Sequence, residues 1–295
     1  MCKNSKTYID FIYFYPRKFI LMQTINCKGK LIDFSTPKVM GILNITPDSF
    51  FDGDSYKNEK DILLKVEKML LEGATFIDVG AYSSRPGATH ISKDKELQRI
   101  IPVVDVLLKN FPKIILSIDT FRSNIAKKAI EHGAAIINDI SSGKMDKNMF
   151  TTVAKLQVPY ILMHMLGTPQ TMQQNPQYKD VTQELISFFA AQIFKLRQLQ
   201  LNDIIIDVGF GFGKSINHNY ELLKKLSLFK HLDVPVLTGI SRKSMLYKPL
   251  DIMPENALNA TTVANTIALL NGTNILRVHD VKEAIEAIKI VTELS

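Results

Sequence analysis

The 295-residue sequence has no tryptophan and only two cysteines, Cys2 and Cys27. Both thiols lie in the first 30 residues without metal-ligand spacing, which argues against a disulfide framework or a zinc site and makes a reducing cytoplasm the expected compartment. Long hydrophobic runs are also missing. The stretch "FIYFYPRKFILM" (11–22) is broken by Pro16, Arg17 and Lys18, well short of the roughly 18–20 apolar residues that a membrane span needs. No small-residue cleavage site follows it, so it fits poorly as a signal peptide. Acidic charge is scarce at one end: residues 1–30 hold six basic residues and one acid, which is +5 of the net +7. The remainder is nearly balanced and has little basic excess to contact nucleic-acid phosphates. Residues 1–21 are expected to form a loose extension, or upstream sequence before a natural start at Met22. No interdomain linker, low-complexity tract or helical repeat unit follows, so 22–295 reads as one domain.

What is present is a repeated pattern. Short apolar runs that look like buried parallel strands occur at 38–43, 75–80, 114–119, 135–139, 158–163, 203–208, 234–239 and 274–279. Segments of helical period lie between them, including 60–73, 94–110 and 182–200. The last helix opens with Asp280 and Glu283 spaced like a variant capping box. Alternation of strand and helix predicts a parallel sheet covered by helices. Polar residues stand at nearly every strand end: Asn44, Asp78, Asp119, Asn138, His164, Asp207, Ser241 with Arg242 and Lys243, and Arg277 with His279. A barrel brings all eight ends to one mouth, whereas a doubly wound sheet does not. The expected fold is therefore a single (β/α)8 barrel with a short N-terminal extension.

"GFGFGKS" (209–215) matches neither common phosphate motif: a P-loop needs glycine where Val208 stands, and the dinucleotide fingerprint needs different glycine spacing. A tight strand-to-helix turn explains the glycines alone. Any one strand-end acid could be a helix N-cap, and Asp119 before "TFRSNIAKKAI" could be only that. Four such residues at equivalent places suit something else, a flat heterocycle whose ring N–H and amine groups are donors. The basic groups of "GISRKS" (239–244) and "LRVHD" (276–280) fall at the last two strands, where barrels often bind phosphate. Arg277 and His279 alternate and so can share one side of an extended segment. Two loops, "NITPDSFFDGD" (44–54) and "AYSSRPGATH" (81–90), have the composition of lids at a barrel mouth.

"MGILNITPDSF", "SSRPGA", "SIDTFR", "INDISSG", "DVGFGFGKS", "GISRKSM" and "RVHD" occur in this order from about Val39 to the C-terminus. In these motifs the chain resembles the dihydropteroate synthase family. The resemblance implies a barrel that joins 4-aminobenzoate to 6-hydroxymethyl-7,8-dihydropterin diphosphate in folate synthesis, with Mg2+ as cofactor and a homodimer as assembly. It implies that Asp119, Asn138, Asp207 and Lys243 hold the pterin. Ser84, Arg85, Arg277 and His279 would meet the diphosphate, and Asn44 would ligate magnesium. Phe50, Pro86, Phe212, Lys243 and the Ser244 backbone would form the aminobenzoate site. Asp52 would stabilise positive charge on the pterin methylene, which makes Asp52, Lys243, Arg277 and His279 the catalytic set. Tyr82, Ser84 and Val208 depart from the family pattern, which has glutamate, threonine and proline there. A pterin-binding methyltransferase of the same superfamily needs no diphosphate site, so Arg277, His279 and the "SSRPG" loop count against it. A catalytically silent paralogue would tolerate Asp52→Ala without change in turnover.

Overall fold

The computed structural model describes residues 23–45, 55–82 and 91–294. The expected extension, 1–21, lies outside them. The described chain opens with a feature that the periodic pattern did not suggest, an antiparallel hairpin of β1 (Thr24–Cys27) and β2 (Lys30–Asp33). Its turn residues Lys28 and Gly29 both have positive φ, 55° and 84°, as a two-residue hairpin turn with the right twist requires.

Eight parallel strands follow: β3 (Lys38–Asn44), β4 (Phe76–Gly80), β5 (Leu116–Asp119), β6 (Ile136–Asp139), β7 (Tyr160–Met163), β8 (Ile204–Asp207), β9 (Val236–Thr238) and β10 (Ile275–Val278). Each pairs with the next, and β10 pairs with both β9 and β3, so the sheet closes into a barrel. The helices between them are α1 (Ser55–Leu71), α2 (Lys93–Asn110), α3 (Ser123–Glu131), α4 (Met149–Leu156), α5 (Val181–Gln198), α6 (Ile216–Lys224), α7 (Ser244–Tyr247), α8 (Leu258–Leu270) and α9 (Val281–Thr292). All eight expected strands are present, mostly a residue or two shorter than the apolar runs; α1 begins five residues earlier than its expected start.

Side chains alternate along each strand between two separate cores. Ile204 and Ile206 of β8 join the helix-facing core, and Ile205 joins a second core inside the barrel. Asp207, two residues beyond Ile205, therefore takes the next inward position. The same step carries Phe76 to Asp78, Ile136 to Asn138 and Ile275 to Arg277, so the inward residues change from apolar to polar toward the carboxyl ends of the strands. At the opposite end Ile25, Cys27, Ile32 and Phe34 of the hairpin segment pack with Met40, Phe76, Ile161, Ile205 and Ile275. The hairpin thus closes the floor of the barrel. Burial raises the Cys27 thiol to about 12, which keeps it protonated and unreactive.

Capping differs from expectation at one helix. Ser92, Asp180 and Ser215 cap α2, α5 and α6 through their side chains. Asp280 stands at the N-cap of α9 but makes no capping hydrogen bond. Its carboxylate instead accepts both arms of Arg242, at 2.9 and 2.7 Å. A bidentate charged pair outcompetes a single backbone N–H.

Candidate active site

The polar strand ends form one connected group. Arg277 Nε donates to Asp78 Oδ2 at 2.7 Å, and its Nη2 donates to Asp119 Oδ2 at 3.0 Å. Asn138 Nδ2 donates to the same Asp78 oxygen at 2.9 Å. Asp78 is fully buried, and its other oxygen has no hydrogen-bond partner among the described residues. Asp119 is not a helix cap, since α3 begins four residues later, at Ser123, with Arg122 at its N-cap. Neighbouring Thr120 donates instead to the buried Glu96 of α2 at 2.7 Å.

Burial pushes the Asp119 carboxyl up to about 7; Arg277 opposes the rise, while Asp78, Glu96 and Asp139 add to it. Burial also works against the Arg277 charge, but the carboxylates of Asp78 and Asp119 outweigh it and hold the guanidinium above its ordinary range. On the adjacent wall Asp207 accepts from Gly209 N at 2.7 Å. Burial raises the Asp207 carboxyl, opposed chiefly by Lys243. Lys243 is lowered by burial to about 8, with Asp207 opposing. Its ammonium donates to the Phe210 carbonyl and sits 4.7 Å from the centroid of the Phe212 ring, within cation–π range.

The glycine-rich turn supplies this geometry. Gly209 has φ 69°, and a Cβ there would lie 2.1 Å from the His164 carbonyl oxygen, so only glycine lets β8 leave the barrel at this angle. Buried Lys214 holds the turn from beneath, with Nζ within 3.0 to 3.2 Å of the carbonyls of Gly209, Phe212 and His164 and of His164 Nδ1. Burial drives the Lys214 ammonium well below its usual range and His164 down to about 2. His164 and Lys214 therefore support the turn, a role that the sequence pattern does not reveal, since the lysine of "GFGFGKS" has its partners in two separate loops. Asp78 was legible as a strand-end acid, but its place as the shared acceptor of Arg277 and Asn138 was not.

At the rim His279 Nδ1 lies 3.0 Å from Ser241 Oγ. Burial and the nearby Arg277 charge lower the imidazole to about 4, with Asp280 opposing. Ser244 is the first residue of α7, next to Lys243. Asn44 is exposed at the end of β3, and a Cβ at Gly80 would lie 3.7 Å from its Oδ1 and 3.6 Å from Asp119 Oδ2. Two hard oxygens thus border one space, although no group of three or more His, Cys, Asp or Glu suited to a metal exists among the described residues. That donor set fits magnesium, which takes few protein ligands when substrate phosphates supply the rest. Asn44, Asp119, Asn138, Asp207, Phe212, Lys243, Ser244, Arg277 and His279 all stand at the carboxyl ends of the strands. Phe50, Asp52, Ser84, Arg85 and Pro86 lie outside the described residues.

The family model for pterin binding enzymes matches residues 40–279, the span that contains this constellation. Over 90% of the chain the sequence is 42% identical to dihydropteroate synthase of Escherichia coli (strain K12), covering 94% of that protein. The chain belongs to the dihydropteroate synthase family. Two solved synthases superpose closely. The Yersinia pestis enzyme with a sulfonamide drug complex has a TM-score of 0.86 at 40% identity, over 92% of this chain and 98% of that one. The Xanthomonas albilineans enzyme with 4-aminobenzoic acid has a TM-score of 0.85 at 35% identity, with the same coverage.

Proposed function

We propose that the protein condenses 6-hydroxymethyl-7,8-dihydropterin diphosphate with 4-aminobenzoate, releasing diphosphate and forming 7,8-dihydropteroate. The observation that carries this reading is the inward ring of Asp119, Asn138 and Asp207 with Lys243, set at one mouth beside Arg277. The two carboxylates accept from the pterin amine and ring N–H groups, and Asn138 offers both a donor and an acceptor. Buried acceptors left without donors cost roughly 1–3 kcal/mol each, so the pocket selects a ring that satisfies them.

Arg277 spans the two halves of the site. Its guanidinium is bonded to Asp119, a pterin acceptor, and belongs with His279, Ser84 and Arg85 to the group that meets the diphosphate. Asn44 would hold magnesium, which when bound would supply positive charge to the leaving diphosphate. The bond from the pterin methylene to the diphosphate oxygen breaks with its electron pair leaving on oxygen, and Asp52 stabilises the resulting cation. The aminobenzoate nitrogen, held among Phe50, Pro86, Phe212, Lys243 and the Ser244 backbone, then bonds to the methylene carbon and loses a proton. No enzyme nucleophile is needed, and exclusion of water protects the cation.

The unit that does this is residues 22–295, acting in the cytoplasm as a homodimer. An exposed stripe on α8, Val263, Ile267 and Leu270, supports the dimer, since these positions share one helix face. No helix among the described residues is long and apolar enough to cross a membrane. The test is dihydropteroate formation from the dihydropterin diphosphate and labelled 4-aminobenzoate, with and without magnesium, using protein that begins at Met22. Magnesium-dependent product is expected. Absence of product, with pterin binding retained in the full chain, would point to a silent paralogue.

A further inference from the structure

Ser241 lies in the turn after β9 and is only 5% exposed. Its Oγ accepts the backbone N–H of His279 at 3.3 Å and also stands 3.0 Å from the Nδ1 atom of the same residue. A hydroxyl has one hydrogen to donate, and a buried one needs an acceptor for it. Among the described residues His279 Nδ1 is the acceptor within reach. A neutral imidazole whose Nδ1 accepts must carry its proton on Nε2.

We propose that Ser241 is a positioning residue that fixes His279 as the Nε2–H tautomer, a neutral donor for the diphosphate. The inference rests on the assignment of His279 to the diphosphate, made above. The next residues along both loops lock the pair in register: Arg242 Nε and Nη2 donate to the two oxygens of Asp280 at 2.9 and 2.7 Å, and its Nη1 donates to the Glu255 carbonyl at 3.0 Å. Among the described residues, the charges that face His279 are Arg277 on the strand just before it, Arg242 across the turn, Lys65 of α1 and Asp280 beside it. Three of these four are cationic and oppose protonation of the ring. A neutral ring keeps Nε2–H as a fixed donor through the physiological range, while the positive charge that the diphosphate requires comes from Arg277.

The tautomer is read directly from two-bond 15N–1H correlations at pH 7 in protein labelled with 15N-histidine, the His279 signals being assigned by their loss in His279→Gln. The expected wild-type spectrum has Nε2 protonated and Nδ1 bare. Ser241→Ala is expected to move the ring toward the other tautomer and to weaken inorganic diphosphate about fivefold, the worth of one ordinary hydrogen bond. Ser241→Thr, which keeps the hydroxyl, should restore both. A wild-type ring protonated on Nδ1, or on both nitrogens, overturns the proposal without any variant having to fold. Unchanged diphosphate affinity in His279→Ala, which has no side-chain donor, would instead overturn the assignment on which the proposal rests, and the ligand-free spectrum separates that failure from a wrong tautomer.

Discussion

At the scale of single residues, Asp119 and Lys243 set the conditions under which the pocket can work. Burial acts on both, raising the acid to about 7 and lowering the amine to about 8. In the proposed pterin site the ionised carboxylate is the stronger acceptor, so binding is expected to weaken as pH falls through about 7. The ammonium loses its charge as pH rises through about 8. The pH profile of kcat/KM, which reports the free enzyme, should therefore be a narrow bell with limbs near these values. A profile flat from pH 6 to 9 would contradict this account. Lys214 makes a separate prediction. Lys214→Met leaves buried carbonyls of Gly209, Phe212 and His164 without their donor, and should cost at least about 3 kcal/mol in urea unfolding at roughly 1–3 kcal/mol per orphaned group.

At the scale of elements, the turn after β8 depends on Gly209, where a methyl group would meet the His164 carbonyl. Gly209→Ala should destabilise by more than about 2 kcal/mol and weaken pterin binding, because the shift needed to relieve the clash moves Asp207. Thermal unfolding with pterin calorimetry checks both, and an unperturbed variant would show that the turn has slack. The strands were legible because each is an apolar run of nearly fixed length ending in a polar residue, and the pocket acids because they recur at that end. Asp280 was misread because its spacing from Glu283 is local, whereas its partner Arg242 lies 38 residues away. Lys214 escaped for the same reason: the four atoms around its Nζ are gathered from two loops by the fold. The hairpin escaped because β1 and β2 have four residues each and expose two of them, Thr24 and Asn26 in β1 and Lys30 and Leu31 in β2, which leaves no buried apolar run to see.

At the scale of the molecule, the barrel has an apolar floor and a charged mouth, and the hairpin makes the first of these. Ile25 is fully buried there, and Ile25→Ala should cost about 2–5 kcal/mol through the cavity it leaves. Activity per folded molecule should be unchanged, since the floor lies opposite the site. The α8 stripe predicts association: Ile267→Glu should convert a dimer to a monomer in sedimentation velocity, and an unaltered sedimentation coefficient would place the interface elsewhere. The central claim is that acids at the inward ends of the strands form the floor of a pterin pocket. It is tested most directly by calorimetry of 6-hydroxymethyl-7,8-dihydropterin, which lacks the diphosphate, on the wild type, Asp119→Ala and Asp207→Ala. Each substitution is predicted to weaken the pterin at least about tenfold, as loss of a charged hydrogen bond requires, while the circular dichroism spectrum stays the same. Equal affinity in all three folded proteins would contradict the account.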